Sequence, residues 1–544
     1  MLRLIPLGGL GEIGLNMMVV ECGEDRLVID AGLMFPEDYM LGVDFAIPDT
    51  AYLRAAGGRL LGVILTHAHE DHIGALPFLL REAAVPVFGT GFTLGMAAQR
   101  LAEFETAATA DFQRVEPGRP LALGPFRIDF LPVGHSVIDG VGLAIDTPEG
   151  LVVHTGDFKL SPVAEGGGTD TQAFARLGER GVLALLSDST NVEREGWSLP
   201  DERIRENFAR IFRDSPGRII VALFASNIAR IQMIVDLARR AGRKVVISGR
   251  NIEASAEVAR SLGRLVIPHR TELSLDLVPD WDEQELVVIT TGSQGEPMSA
   301  IARMAAGTHK QLRIRPGDTV VLSSKFIPGN ERAIAKIIDN LYRRGAEVVY
   351  EKISEIHASR EELREMIRLT RPAHFVPVHG EYRHLVLHAR LAREAGVPPE
   401  RVLLAENGEV IEFAGGRGRL AGRVPTGRLL VDGKGVGDVG RAVLKERRLL
   451  SEEGVVAVTM ALDEETGIVT YGPEIVSRGV VFETATGHLL QDAHCVVLEV
   501  VEEIPPGTPQ RVERLRQRIQ GALREYFYFT IGRRPVILPF IMEM

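Results

Sequence analysis

Short apolar runs that end in a polar residue beside a glycine recur along this chain. Leu27–Ile29, Leu60–Leu65, Leu131–Val133, Leu151–Val153 and, far downstream, Phe375–Val378 are of this kind. Their shortness and lack of helical period predict buried strands. Residues 1 to about 160 read as strands joined by short turns, with few helices. Leu15–Glu21 and Arg26–Asp30 flank Cys22-Gly23-Glu24-Asp25, a hairpin signal. From about 200 to 370 the pattern becomes strand, loop, helix. Glu202–Phe212 has helical spacing. Arg218–Phe224 is a strand followed by a helix from Ile228 to Arg240, and Lys244–Gly249, Leu286–Thr291 and Thr319–Ser324 continue the series. Such alternation predicts a parallel α/β sheet, here a domain inserted into the first. After about 450, Gly454–Met460 and Ala493–Val500 are expected strands, with a helix near Pro509 to Tyr526 before a final strand.

Composition narrows this picture. A chain of 544 residues is too long for one core and suggests two to four domains. A 45% hydrophobic and 25% charged content is that of an ordinary globular protein. Two cysteines, Cys22 and Cys495, exclude a disulfide framework or a cysteine zinc cluster and fit a reducing cytoplasm. The N-terminus shows no signal-peptide pattern and no apolar run is long enough to span a membrane, so a cytoplasmic location is expected. The net charge of −11 argues mildly against nucleic acid. If nucleic acid is bound, a basic groove on an acidic surface is expected.

The candidate chemistry lies at the strand ends. Leu60–Leu65 runs into Thr66-His67-Ala68-His69-Glu70-Asp71-His72-Ile73-Gly74. Alternation puts His67 and His69 on one side of an extended chain, while Asp71 and His72 point to a second nearby spot if a helix begins there. One loop can thus serve two adjacent ions. A solvated, His-rich turn is the bland alternative, but it explains poorly why three of the chain's 14 histidines fall in six positions. Imidazole and carboxylate suit zinc, with manganese as the alternative. His135, Asp157 and His379 occupy strand ends in the same way, and Asp30 could orient a ligand from behind. Each alone reads as a cap, but parallel strand ends gather side chains in one crevice. Gly9-x-Gly11-x-x-Gly14 matches a dinucleotide fingerprint, but a strand follows where a helix is needed, so a nucleotide cofactor is not expected. Asp432–Gly440 lacks a phosphate loop's Lys-Ser/Thr ending and reads as connecting structure. Ser226 and Asn227, at a strand-to-helix step, read as N-caps. With Arg230 one turn in, they could also hold a phosphate. Gly292–Gly295 and Ser323–Lys325 occupy similar positions.

In order, His67, His69, Asp71, His72, His135, Asp157 and His379 resemble the ligand motifs of the metallo-β-lactamase fold. The gap between Asp157 and His379 resembles the inserted β-CASP domain of nucleases in that superfamily. The likeness to the bacterial ribonuclease J family runs from end to end. Its motifs stand here as Gly8–Gly14, Ser187–Asn191, Ala225–Arg230, Thr291–Met298, Ile327–Glu331 and Arg533–Pro539. Ile353–Leu363 departs from it: His357-Ala358-Ser359 is kept, the preceding His-x-Ser-Gly is missing, and Glu355 there would repel phosphate.

The resemblance implies an α/β fold: an αββα metallo-β-lactamase sandwich with an inserted parallel α/β domain and a small C-terminal α/β domain. The expected boundaries are 1–200, 201–369, 370–425, a linker at 426–450, and 451–544. It implies a two-metal phosphodiesterase on single-stranded RNA, a 5′-to-3′ exonuclease with endonuclease activity, in RNA maturation and decay. Self-association into a dimer or larger oligomer is implied for the C-terminal domain. The first metal is assigned His67, His69 and His135, and the second Asp71, His72 and His379, with Asp157 bridging. Asp71, Asp157 and His357 are the expected catalytic residues. His357, reaching across from the inserted domain, is expected to hydrogen-bond phosphate or protonate the leaving oxygen. Ser226, Asn227, Arg230, His357, Ala358 and Ser359 are the expected RNA contacts. A DNA nuclease is the competing reading, since 2′-hydroxyl recognition is not legible in sequence. A small-molecule hydrolase would not need the long insertion, and a non-catalytic scaffold would not need the full ligand set.

Overall fold

The computed structural model describes residues 1–37, 39–105, 110–160, 168–294, 296, 298–324, 330–350, 357–433, 435–480 and 488–544, without the side chains of 279, 280 and 283. Of the positions singled out above, Gly295, Pro297, Lys325, Ile327–Gly329, Lys434 and Ile353–Ile356, which includes Glu355, lie outside the described residues. The chain forms two compact units, Met1–Phe35 with Ala46–Leu429, and Pro36–Phe45 with Leu430–Met544.

In the first unit two sheets face each other. One has eight strands, in the order Arg417–Arg423, Glu409–Ala414, Leu2–Gly8, Met17–Cys22, Asp25–Ile29, Arg59–Ile64, Val87–Gly89, Phe112–Arg114. The other has six, in the order His374–Val378, Val182–Asp188, Gly150–His154, Val141–Thr147, Phe126–Pro132, Leu121–Leu123. Strand alternation divides the apolar residues between layers. Leu2, Leu4, Met18 and Val20 join Phe126, Ile128, Phe130 and Leu143 of the facing sheet in an inner core. Ile5, Leu7, Met17 and Val19 belong to a different cluster, shared with helices Leu76–Glu82 and Gly91–Glu103. The second sheet buries its outer face beneath helices Thr171–Arg180, Arg360–Thr370 and Tyr382–Glu394. The result is the αββα layering. Gly91–Glu103 is a helix of 13 residues in a stretch expected to be mostly strands.

The inserted sheet is wholly parallel, in the order Lys244–Ser248, Leu286–Thr290, Ile219–Ala222, Thr319–Leu322, Glu347–Val349. Its two faces are buried by separate apolar clusters, as a parallel sheet requires. The insertion leaves and rejoins the six-stranded sheet at neighbouring parallel strands, with Asp188 paired to Val378. Helix Arg360–Thr370 buries Leu363, Met366 and Ile367 with Val153 and Leu185 of that sheet. The chain has therefore returned to the first domain's core before 370. His357, just ahead of this helix, comes from the returning segment and not from the inserted sheet.

The second unit has a three-stranded sheet, Val469–Arg478, Val455–Leu462, Val536–Glu543, covered by two helices. Ala493–Val500, expected as a strand, lies inside the helix Leu489–Glu503. Leu489, Ala493, Val497 and Val500 bury one face at helical spacing, and that packing overrides the valine-rich local preference for strand. The following helix is Arg511–Ile531. Among the described residues no helix is long and apolar enough to cross a membrane.

Candidate metal centre

Parallel strands of both sheets end at one edge, and the candidate ligands collect there. Ile29 pairs with Ile64, which places Asp30 beside the Thr66–His72 loop. His154, Leu186 and the strand before His379 lie side by side in the other sheet. Glu70–Ile73 is a single helical turn with His69 at its N-cap, and it carries Asp71 and His72 into a second ligand group although the His72 ring stands only 4.0 Å from that of His67. Asp30 and His379 adopt left-handed backbone, φ 61° and 52°. Such conformations in non-glycine residues are uncommon and cluster at functional sites.

Asp157 is the hub. Its Oδ2 lies 3.7 Å from His67 Nε2, 3.4 Å from His72 Nε2, 3.9 Å from His135 Nε2, 3.3 Å from His379 Nε2 and 3.8 Å from His357 Nδ1. His67, His69, His135 and Asp157 form one four-ligand group, and Asp71, His72, Asp157 and His379 a second. These are the two sets expected from the sequence, with Asp157 common to both. A third group joins Asp157 to Asp188, His357 and His379. His69 Nδ1 is 3.1 Å from both His67 Nε2 and His135 Nε2. A single ring proton cannot satisfy a triangle of imidazole nitrogens, whereas a cation accepts all three lone pairs. The donor set therefore fits a divalent ion.

The outer partners fix the ring orientations. Asp30 Oδ1 accepts from Thr66 N–H at 2.7 Å, and Oδ2 accepts from Thr66 Oγ1–H at 2.8 Å and pairs with His72 Nδ1 at 2.8 Å. Thr66 Oγ1 in turn meets His67 Nδ1 at 3.0 Å. With Asp30 as acceptor, both rings hold their proton on Nδ1 and turn Nε2 toward Asp157. Asp30, expected from the sequence to act from behind, thus touches His72 directly and His67 through Thr66, one member of each candidate group.

Burial drives the His67 ring well below its usual pKa and holds His69 at about 4, so both are neutral imidazoles. His72 and His379 go the other way. Burial opposes their charge, but Asp157 and neighbouring carboxylates raise His72 well above normal and His379 to about 9. Burial would raise Asp157, yet His379 and His72 hold its carboxyl well below the usual range. Cations at these positions would replace the two ring protons, because metal binding releases protons from its ligands.

His357 lies at the rim, 12% exposed, with Nδ1 2.9 Å from Asp188 Oδ2. Asp188 is buried and its other oxygen accepts from Thr190 N–H and Oγ1–H. This leaves His357 Nε2 as the ring nitrogen available to a substrate. Sequence reasoning gave Asp188 no role. The signal available was its place at a strand end, the same signal that marked Asp157.

Two expected RNA contacts are corrected. Ala358 and Ser359 are 1% and 0% exposed. They anchor the loop: Ala358 N–H donates to Phe158 O, and Ser359 begins the Arg360–Thr370 helix, with its N–H on Glu362. Glu362, buried, also accepts from Leu160 N–H and from Ser198 N–H and Oγ–H, tying three segments around His357. Ser226, Asn227 and Arg230 are 8%, 5% and 7% exposed. Asn227 caps the Ile228–Arg240 helix, and Arg230 turns inward to Ser323 Oγ and the Phe208 ring.

Comparison with known proteins covers the chain in four pieces. Residues 10–171 match the metallo-beta-lactamase superfamily, 216–341 the beta-CASP domain of ribonuclease J, 343–403 the RNA specificity domain of Zn-dependent metallo-hydrolases, and 442–544 the ribonuclease J C-terminal domain. Among curated proteins, ribonuclease J2 of Bacillus subtilis is 39% identical, covering 100% of this chain and 98% of its own. Ribonuclease J 1 of Streptococcus pyogenes is 37% identical, covering 98% and 96%. A crystal structure of a protein of unknown function from Enterococcus faecalis, 18% identical, aligns with a TM-score of 0.53 over 75% of this chain and 99% of that one. At that identity the likeness speaks for the fold alone.

Proposed function

The chain belongs to the ribonuclease J family, and from that membership we propose that it is a metal-dependent ribonuclease. It hydrolyses RNA phosphodiester bonds as a 5′-to-3′ exonuclease with endonuclease activity, in RNA maturation and decay. The observation that carries the reading is the convergence of His67, His72, His135, His357 and His379 on one oxygen of Asp157. His67, His69 and His135 would hold one ion, and Asp71, His72 and His379 the other, with Asp157 shared. Zinc suits this nitrogen-rich set best, with manganese the alternative. When bound, the ions supply Lewis acidity to the phosphoryl group and make water acidic enough to act near neutral pH.

The chain's own residues supply the rest. Asp30 keeps His67 and His72 in the ligand tautomer. Asp188 holds His357 as a carboxylate holds a catalytic imidazole. His357 Nε2 then hydrogen-bonds a non-bridging phosphoryl oxygen or donates a proton to the leaving 3′-oxygen. Substrate contact near the ions falls to His357 rather than to the buried Ala358 and Ser359. We take the protein to be cytoplasmic and homo-oligomeric.

Purified protein with Zn²⁺ or Mn²⁺ should be given end-labelled 5′-monophosphate RNA, 5′-triphosphate RNA and matching DNA. Mononucleotides released progressively from the 5′ end of RNA, with DNA left intact, are expected. Degradation of DNA at an equal rate would move the reading to the DNA-nuclease alternative, and inertness toward both would end it.

A further inference from the structure

The Gly8–Asn16 segment carries the fingerprint-like glycines, yet no side chain of it is a proposed ligand. Its contacts are nevertheless selective. Leu10–Gly11 is a short strand paired in parallel with Gly380–Glu381, and Glu12 bridges back to Gly380. These are the residues that follow His379 directly. At the other end, Asn16 N–H and Nδ2–H donate to Asp71 O at 3.1 and 3.0 Å, and Nδ2 stands 3.1 Å from His72 Nε2. The segment thus touches Asp71, His72 and the backbone beside His379, the three members of the second group that the first does not share.

His379 has particular need of such support. The rings of His67 and His72 are oriented through Nδ1 by Thr66 and Asp30. His379 Nδ1 is buried with no hydrogen-bond partner among the described residues, and its backbone is left-handed. Its ring is therefore aimed from the backbone. On one side the His379 carbonyl accepts from Ser189 N–H at 3.2 Å. On the other stands the pairing of Gly380–Glu381 with Leu10–Gly11. That pairing is anchored in turn by Glu12, which is buried. Glu12 Oε1 accepts from Asn407 Nδ2–H at 2.6 Å and Oε2 from Arg428 Nε–H at 2.9 Å. Asn407 Oδ1 closes the ring by accepting from Leu10 N–H at 2.9 Å.

The geometry points to the Gly8–Asn16 segment as the brace of the second ion position, with Glu12 as a positioning residue for His379. This inference rests on the two-ion reading above. Losing an outer partner typically costs about 10–100-fold in metal affinity. Removal of Glu12 should appear at the second ion and not at the first.

The test is calorimetric titration of the full-length, chelator-stripped protein with Zn²⁺. Two binding events are expected for the unaltered chain. Glu12→Ala should leave the first unchanged and weaken the second by about 10-fold, the low end of the range for an outer partner, because Glu12 acts through the backbone pairing beside His379. At limiting Zn²⁺ its kcat on 5′-monophosphate RNA should fall with KM kept, and excess Zn²⁺ should restore it. Two unchanged events, or both events weakened in parallel with melting temperature, would overturn the bracing role. If Glu12→Ala does not fold, Arg428→Met, at a side chain 35% exposed, decides in its place. A weaker second event supports the role and an unchanged one overturns it. A single event in the unaltered protein would instead overturn the two-ion reading, and the inference with it.

Discussion

Replacing Asp30 by asparagine keeps the size of the side chain and reverses the sense of one of its oxygens. With Nδ2 in place of Oδ1, it would face the backbone N–H of Thr66, a donor that cannot change. With Nδ2 in place of Oδ2, it would face Thr66 Oγ1 and His72 Nδ1, and both can become acceptors. The metal-free protein is expected to take the second arrangement. His72, whose raised pKa leaves both ring nitrogens protonated in the unaltered metal-free protein, then gives up its Nδ1 proton and keeps the one on Nε2. Thr66 Oγ1–H, now released, turns to His67 Nδ1 and leaves that ring's proton on Nε2 too. Neither Nε2 can bind an ion in that state. Binding must drive the amide back to the first arrangement, leaving a buried N–H unpaired, which costs about 1–3 kcal/mol. That is a loss of roughly 5- to 150-fold in affinity. Because His67 and His72 belong to different groups, both ions should weaken, whereas Glu12→Ala weakens one. Calorimetry gives the affinities, and ¹⁵N chemical shifts of the two rings report the tautomers directly. If Asp30→Asn keeps both rings protonated on Nδ1 and binds both ions normally, the tautomer argument is wrong.

Three further outcomes are expected. His379 holds its proton to about pH 9, against 6.5 for the free ring, so it stabilises the metal-free fold fully below 6.5 and loses that contribution as pH rises through 9. Thermal melts of the stripped protein should decline over this window while affinity for the second ion grows, and a flat or rising profile would count against the His379–Asp157 pair. His357→Ala should lower the single-turnover rate about 10²–10⁴-fold with both ions retained, and an unchanged rate would remove it from the chemistry. Gly32→Ala would place a Cβ 1.6 Å from the carbonyl oxygen of Asp71. Backbone must move to admit it, so a loss of at least about 1–3 kcal/mol together with the second ion is expected. A variant that melts and binds as before would show that this loop gives way more easily than its packing suggests.

The ligands are readable in the sequence because each stands at the end of an apolar strand, and parallel strands share an edge. Apart from Asp30, what supports them is not. Asn16, Thr66 and Asp188 work by pairing with groups far away in sequence, and an isolated Asn, Thr or Asp looks the same whether it caps a turn or orients a ligand. Arg230 shows the converse. A basic residue one turn into a helix suggests phosphate, but Ser323 and Phe208 give the guanidinium an interior destination that only folding reveals. The helix Leu489–Glu503 reads locally as strand because its valines are good strand formers, although Leu489, Ala493 and Val497 already spell a helical stripe.

The insertion departs after Asp188, and the chain is back on the same sheet with the His357 loop and helix Arg360–Thr370, ahead of strand His374–Val378, one strand over. Closing a loop across so small a gap costs only logarithmically more as the loop grows. The inserted domain is consequently a cassette: it can lengthen, shrink or change its fold while the two adjacent strands go on delivering Asp188 and His379 to the same edge.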